Sequence, residues 1–250
     1  MPTLLPINTP HNTTTSGDSK IYIDPRISAN QLAQFMISDH AKQESIVRNA
    51  KRINKIMVAS YQPGRLAVST SYDGAGINVD QLKTKAEHMK TFEFSDDFES
   101  QCNRLSGAAL EKFAEFAGEL SCSGVKVPRP PNGYRHMLIE NVRVSVQPEI
   151  VFTQQHRGQS KYGGIMVNFT KGDSTSYDKK QGRYFSGDYA AFLVFLMLGL
   201  HYGSTGVRNA SCFAVDIYRE AAYSGTTAHV TMLKNVEAAC RNIARQWDEV

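Results

Sequence analysis

The apolar run AAFLVFLMLGL, from Ala190 to Leu200, most strongly limits the folds open to this chain. It is shorter than the ~20 apolar residues that a helix needs to cross a bilayer, so we expect no membrane span. A helix that is apolar all round is buried on all sides. The run therefore predicts an internal helix that is covered by other elements.

Strand-like segments stand on both sides of this helix. Val142, Val144 and Val146 alternate with polar residues, which is typical of a half-buried strand, and Pro148 permits a bend before residues 150–152. The stretch QQHRGQSKYG predicts a turn, and GGIMVNF predicts the strand that pairs with the strand before this turn. After the helix, SCFAVDIY predicts a further strand because it is rich in residues that favour β-structure.

The first half of the chain is richer in helical patterns. Ser28 can cap a first helix, and the stretch SIVRNAKRI predicts a second helix, which is amphipathic. Further helices are predicted over residues 80–88 and 106–120. The segment from Ser60 to Ile77 contains several glycines and a proline, and it predicts an irregular loop with a short strand around LAVST. The final residues predict an amphipathic helix.

These patterns together predict an α/β fold with a central mixed sheet flanked by helices. We expect a flexible tail over residues 1–20, a helix-rich N-terminal part over residues 21–121 and an α/β core over residues 134–250. A chain of 250 residues with 41% hydrophobic residues is long enough for a substantial core.

Charge and cysteine content narrow the function only slightly. The formal net charge of +4 permits a nucleic-acid partner without requiring one. The four cysteines form no C-x-x-C pair, which favours reduced thiols in a cytoplasmic protein over a zinc ribbon or redox motif. The chain also lacks the H-E-x-x-H and G-x-S-x-G patterns of zinc and serine hydrolases.

The predicted order of helix, three strands, helix, strand and helix, together with the pair Pro148-Glu149, resembles the PD-(D/E)XK nuclease-like superfamily over residues 106–250. The resemblance implies a restriction-endonuclease-like core, in which an acid on the second strand and an acid-x-Lys triplet on the third hold Mg²⁺. Glu149 corresponds to the first acid. The expected triplet positions instead hold Ile165, Met166 and Val167.

Asp216 is a second candidate ligand, because it displays a carboxylate from an otherwise apolar strand, where a lone charge is costly unless it is paired or liganded. Glu149 and Asp216 could together hold Mg²⁺, which prefers hard oxygen ligands. Lys161 or Lys171 could then assist catalysis, and Asn168 could supply a neutral oxygen. The alternatives are that Asp216 pairs with a lysine or arginine and that Glu149 is an ordinary strand residue.

A basic helix face is the main candidate for nucleic-acid contact. Arg48, Lys51, Arg52 and Lys55 share one side of the second predicted helix, where they could neutralise phosphates. A solvated surface face is the alternative interpretation. Arg129, in the Pro-rich loop, belongs to a second set of cations that could contact nucleic acid or serve only in a structured loop.

Three hypotheses follow for the function. The first is a Mg²⁺-dependent nuclease that cuts DNA or RNA. The second is a catalytically inactive relative that binds nucleic acid or docks a protein partner, for example as a subunit of a bacterial or phage assembly. The third is a structural or regulatory interaction protein with an unrelated α/β fold. The sequence leaves the oligomeric state open.

Overall fold

The computed structural model describes residues 5–6, 12–16, 19–54, 61–92, 95–120, 122–131, 135–169, 185–225 and 229–250. The predicted site residues Lys55 and Lys171 lie outside these ranges. No helix within the described ranges has the length and apolar composition needed to cross a membrane.

The described residues form seven α-helices. In chain order these are α1 (Ala29–Ile37), α2 (His40–Lys51), α3 (Gln62–Thr70), α4 (Val79–Thr91), α5 (Asp97–Phe116), α6 (Ser186–Tyr202) and α7 (His229–Trp247). Ser28 caps α1 as predicted, because its hydroxyl accepts the Gln31 N–H at 3.3 Å and the Gln31 side chain accepts the Ser28 N–H at 3.2 Å.

The described residues also form twelve β-strands in three sheets. The strands are β1 (Leu5–Pro6), β2 (Thr13–Ser16), β3 (Ser19–Tyr22), β4 (Arg26–Ser28), β5 (Arg52–Asn54), β6 (Val125–Val127), β7 (His136–Ile139), β8 (Val142–Ser145), β9 (Ile150–His156), β10 (Gln159–Asn168), β11 (Val207–Asp216) and β12 (Ala221–Ser224). Their orders are β1-β7-β8-β4, β2-β3-β5 and β12-β11-β10-β9-β6.

The five-stranded sheet is the centre of the fold. β9 and β10 form an antiparallel hairpin, and β10 and β11 run parallel because α6 connects them across one face. The strands β6 and β12 pair antiparallel at the two edges. The sheet is therefore mixed, and the carboxyl ends of β10 and β11 lie at one side of it.

Each face of this sheet packs against its own set of helices. Val151, Met166 and Ala214 point into a core with α1, α2, α6 and α7. Ile165 and Val215 point to the opposite face, into a core with α3, α4 and α5. Side chains alternate between the faces as a strand period of two requires. This arrangement confirms the predicted α/β fold with a mixed sheet flanked by helices.

The N-terminal helices do not form a separate unit. Residues of α1 and α2 share the first core with α6, and residues of α3 to α5 share the second core with β9 and β10. The predicted helix-rich part and the predicted α/β core are therefore one packed body in the described residues. The internal helix predicted from the apolar run is confirmed as α6, in which Phe192, Leu193 and Val194 are fully buried.

Two predictions for the N-terminal half are wrong. The segment predicted as a loop with a strand around LAVST is the helix α3, in which Pro63 lies in the first turn, where its missing N–H has no helical partner. Gly64 allows α3 to approach the sheet, because a Cβ there would lie 2.8 Å from the Phe169 ring. The tail predicted to be flexible contributes β2, whose Thr13–Ser16 pairs with β3.

Candidate functional site

Glu149 lies directly before β9 and is buried, with 2% of the residue exposed. One carboxylate oxygen accepts a hydrogen bond from the Arg65 guanidinium, and the other accepts the Val167 N–H at 2.7 Å. The Glu149 N–H donates to the Ile165 carbonyl at 2.8 Å. Glu149 thus joins β10 to α3, which carries Arg65.

The charge balance around Glu149 favours a structural ion pair. Burial raises the pKa of the Glu149 carboxyl, whereas the Arg65 guanidinium opposes this shift by favouring the ionised form. The Arg65 guanidinium carbon also lies 5.5 Å from the centre of the Phe169 ring, within the range of a cation–π contact. Arg65 is therefore held from two sides at the carboxyl end of β10.

This arrangement does not fit the predicted magnesium site. Mg²⁺ needs near-octahedral oxygen ligands and usually keeps several waters. The two Glu149 oxygens instead face a guanidinium and a backbone amide inside the protein. Within the part of the chain that the structure describes, no three His, Cys, Asp or Glu side chains form a group that could hold a metal ion. Glu149 is thus held in an ion pair with Arg65 in this structure.

Asp216 ends β11 and has its own partners. One carboxylate oxygen accepts the backbone N–H groups of Tyr218 and Arg219, each at 3.2 Å, and caps the 3-10 turn over Ile217–Arg219. The other oxygen accepts the Asn168 side-chain amide at 3.4 Å and lies 3.8 Å from the Arg219 side-chain nitrogen. Burial raises the pKa of the Asp216 carboxyl. The alternative of an Asp216–arginine pair is therefore the arrangement that the structure has.

Only a small space remains beside Asp216. A cavity of about 30 Å³ lies there, between the start of α6 and the ends of β10 and β11. Such a volume has room for little more than water. Glu149 and Asp216 flank the same end of β10, on the sides of β9 and β11.

Lys161 lies far from this end of the sheet. It is near the start of β10, opposite Gln154, and its ammonium donates to the Thr205 carbonyl at 2.7 Å. Val167, which binds Glu149, is six residues further along β10, or ~20 Å at the rise of a β-strand. Lys161 therefore cannot assist chemistry at Glu149.

The basic face of α2 is partly used within the fold. The Lys51 ammonium donates to the backbone carbonyls of Trp247 at 2.7 Å and Val250 at 2.9 Å, and so holds the end of α7. Arg48 and Arg52 are exposed. Lys51 is thus bound within the fold, Arg48 and Arg52 are the exposed members of the predicted basic face, and Lys55 lies outside the described residues.

The β9–β10 turn gathers a basic group that the sequence interpretation did not bring together. We name His156, Arg157, Lys161 and Arg208 the hairpin cluster. Desolvation and then the charges of Arg208, Arg157 and Lys161 lower the pKa of His156. Within the described ranges, none of these four side chains has a carboxylate partner.

The conformation of the turn adds a second observation. Arg157 and Gly158 connect the strands with φ values of 52° and 76°, which is the pattern of a tight two-residue hairpin. Glycine adopts this left-handed conformation freely, whereas arginine adopts it at a steric cost. A strained, exposed arginine at a turn is a reason to look for a function of its charge.

An open polar groove lies beside the hairpin cluster. It has a volume of about 770 Å³ and runs between the turn at Asp73, the start of β6 and the β9–β10 hairpin. Its polar lining includes Asp73, Ser123, Lys126, Gln154, Gln155 and Ser160.

A second group of cations stands on the β6 side of this groove. The pKa of Lys126 is lowered, mainly by desolvation and to a smaller extent by the charge of Arg129. The pKa of Lys85 is lowered in the same way, with Lys126 as the neighbouring charge. We name Lys85, Lys126 and Arg129 the β6 cluster. Positive charge therefore borders the groove on two sides, while the Lys126 ammonium also donates to the Ser69 carbonyl and the Asp73 carboxylate lies in the groove lining.

Comparisons with known proteins give no family for this chain. No protein-family model, no curated protein and no solved structure matches it.

Proposed function

We propose that this protein is a non-catalytic module that binds nucleic acid, with the hairpin cluster contacting phosphates. The observation that carries the proposal is a group of cations at the hairpin turn without carboxylate partners in the described ranges. Some other cations of the described residues are paired with carboxylates, as Arg241 is with Glu140 at 2.8 Å and Lys90 is with Glu111 at 2.9 Å.

Phosphate is the anion that best suits this group. Arginine offers a planar set of donors that matches phosphate oxygens, and lysine and histidine add point charges. Binding would release counterions from the nucleic acid, so the affinity should depend on salt. A bound phosphate would also offset the repulsion that lowers the pKa of His156.

The absence of catalysis rests on the surroundings of the two predicted acids. Each Glu149 oxygen accepts a hydrogen bond, one from Arg65 and the other from Val167, and Asp216 caps a turn and binds Asn168. The strand positions where the resemblance requires an acid-x-Lys triplet hold Ile165, Met166 and Val167. If the nuclease-like resemblance is right, the chain is an inactive descendant that has kept the binding role.

Fluorescence anisotropy with labelled oligonucleotides tests this proposal. The double variant Arg157→Ala/Arg208→Ala should bind about tenfold more weakly, since each lost phosphate contact contributes ~0.7 kcal/mol. The matched control Arg48→Ala/Arg52→Ala removes the same net charge from the end of α2 and the start of β5 and should change the affinity much less. Equal losses in the two variants would show that net charge alone is responsible.

Two further measurements separate the proposal from its rivals. The imidazole of His156, followed by NMR, should titrate at higher pH when an oligonucleotide is bound, because the phosphate favours the charged ring. Incubation with Mg²⁺ should leave the oligonucleotide intact. Cleavage that requires Mg²⁺ and disappears in Glu149→Gln would overturn the non-catalytic proposal in favour of a nuclease.

A further inference from the structure

The groove beside the hairpin lies where the sheet has an open edge. β6 begins at Val125, which pairs with Thr153. In the described residues, the part of β9 that follows Thr153 therefore has no partner in β6. Gly124 turns the chain away at this point with φ of 157°, and a Cβ there would lie 2.3 Å from the Thr153 carbonyl oxygen. The recess of about 770 Å³ occupies the space next to this edge.

Two polar side chains in the groove are free to bind a ligand. Gln155 and Ser160 face each other across the β9–β10 ladder, and both are exposed. Neither has a hydrogen-bond partner in the described part of the chain. Gln154, by contrast, already donates to the Ser211 hydroxyl. An amide and a hydroxyl together offer donors and acceptors, which suits the polar edge of a nucleobase.

Cations stand where the phosphates of such a nucleotide would lie. Arg157 follows Gln155 by two residues along the chain and lies in the exposed turn. Lys161 follows Ser160 directly but points to the opposite face of the sheet, where its ammonium donates to the Thr205 carbonyl. On the other side, Lys126 lines the groove and lies within electrostatic range of Arg129. A chain that crosses the groove would therefore meet positive charge before and after the recess.

We propose that this groove accepts an unpaired base of a single-stranded nucleic acid, with Gln155 and Ser160 binding the base and the two clusters binding the flanking phosphates. The inference rests on the proposed nucleic-acid function and specifies its ligand. A duplex keeps its bases stacked and paired, so placing one of them in a recess would require the base to be unstacked and unpaired first, at a cost in free energy. A single strand can place a base there more easily, because its bases are unstacked at little cost.

The test uses the whole protein and four labelled probes. These are a short oligothymidylate, an oligouridylate, an abasic oligomer of the same length and a duplex. Gln155→Ala/Ser160→Ala is the test variant, and Gln159→Ala is the matched control, since Gln159 is exposed on the same strand and lies outside the groove lining. Both residues of the test variant are exposed, so the fold should be preserved, and circular dichroism checks this.

The test variant should lose about threefold to tenfold in affinity for the single-stranded probes, the value of one or two net hydrogen bonds. It should bind the abasic oligomer and the duplex as the unmodified protein does, and Gln159→Ala should bind all four probes normally. The thymidylate and uridylate arms show whether DNA or RNA is preferred.

Three results would overturn the inference. Equal affinity for the abasic and base-containing strands would show that no base is bound. Unchanged affinity of the test variant for the single strands would remove Gln155 and Ser160 from the contact. Displacement of the strand by an extended acidic peptide, with the same dependence on Gln155, would assign the open edge of β9 to a peptide. Failure of every probe to bind would instead reject the proposed function itself.

Discussion

The Arg65–Glu149 pair provides a stability prediction that follows directly from the structure. Removing one partner of a buried ion pair leaves an uncompensated charge and costs ~3–5 kcal/mol. The Arg65 side chain is 32% exposed, so water reaches it and the lower value applies. We therefore expect Arg65→Met to lower the free energy of unfolding by ~3 kcal/mol at neutral pH.

The loss should depend on pH in a defined direction. Burial raises the pKa of the folded-state Glu149 carboxyl above its usual value of 4.5, and removing Arg65 raises the pKa further. A protonated Glu149 needs no cation, so the variant should be closest to the unmodified protein at a pH below 4.5. The unfolded-state pKa of Glu149 is common to both proteins, so the loss grows over the pH range in which Glu149 is ionised in the folded unmodified protein but still protonated in the folded variant.

Urea unfolding followed by circular dichroism at about pH 4 and about pH 8 measures both effects. Glu149→Gln keeps an acceptor for the Val167 N–H, and the double variant Arg65→Met/Glu149→Gln should be more stable than the sum of the single losses predicts. Arg48→Met removes an exposed arginine and serves as the control. A loss below ~1 kcal/mol for Arg65→Met, or one of equal size at both pH values, would refute the reasoning.

Three further variants test separate parts of the account. Arg157→Asn should raise the free energy of unfolding by ~0.5–1 kcal/mol, because asparagine adopts the left-handed conformation of this turn more readily than arginine does. The same variant should bind oligonucleotides more weakly, and lower stability or unchanged binding would contradict the prediction. Lys51→Met should lower the free energy of unfolding by ~2 kcal/mol and reduce hydrogen-exchange protection at the end of α7, because two carbonyls lose their donor. The control Arg48→Met should do neither, and equal protection in the two variants would contradict the role of Lys51. Gly124→Ala should cost ~2 kcal/mol or more in thermal unfolding, since the new Cβ would meet the Thr153 carbonyl, and a smaller cost would mean that the edge can shift.

The elements with strong local patterns could be predicted from the sequence. The apolar run predicted α6, because a helix that is apolar on all sides has to be buried. The alternation of Val142 and Val144 predicted β8, and Ser28 predicted the start of α1. These features depend on neighbouring residues alone, so the sequence carries them directly.

The surroundings of Glu149 could not be predicted in the same way. Pro63 and Gly64 suggested a loop, and only the packing of α3 against Phe169 makes this segment helical. Arg65 was therefore never considered as a partner for Glu149. Without that partner, an acid after a proline at the start of a strand was open to interpretation as a metal ligand.

The hairpin cluster shows the same limit. Arg157 and Lys161 are close in sequence, but Arg208 joins them only because β11 pairs with β10 beyond an intervening helix. The stretch QQHRGQSK gave one available signal, since it carries two cations and a histidine without an acid. A parallel crossover brings distant residues together, and the periodicity of either strand alone does not reveal it.

The salt dependence of single-strand binding tests the central claim most directly. Each phosphate contact on a single strand contributes ~0.7 to the slope of log affinity against log salt. Arg157→Ala/Arg208→Ala should therefore make the slope shallower by ~1.4, while Arg48→Ala/Arg52→Ala should leave it near that of the unmodified protein. An unchanged slope in the hairpin variant, or an affinity that does not respond to salt, would contradict phosphate binding by the hairpin cluster.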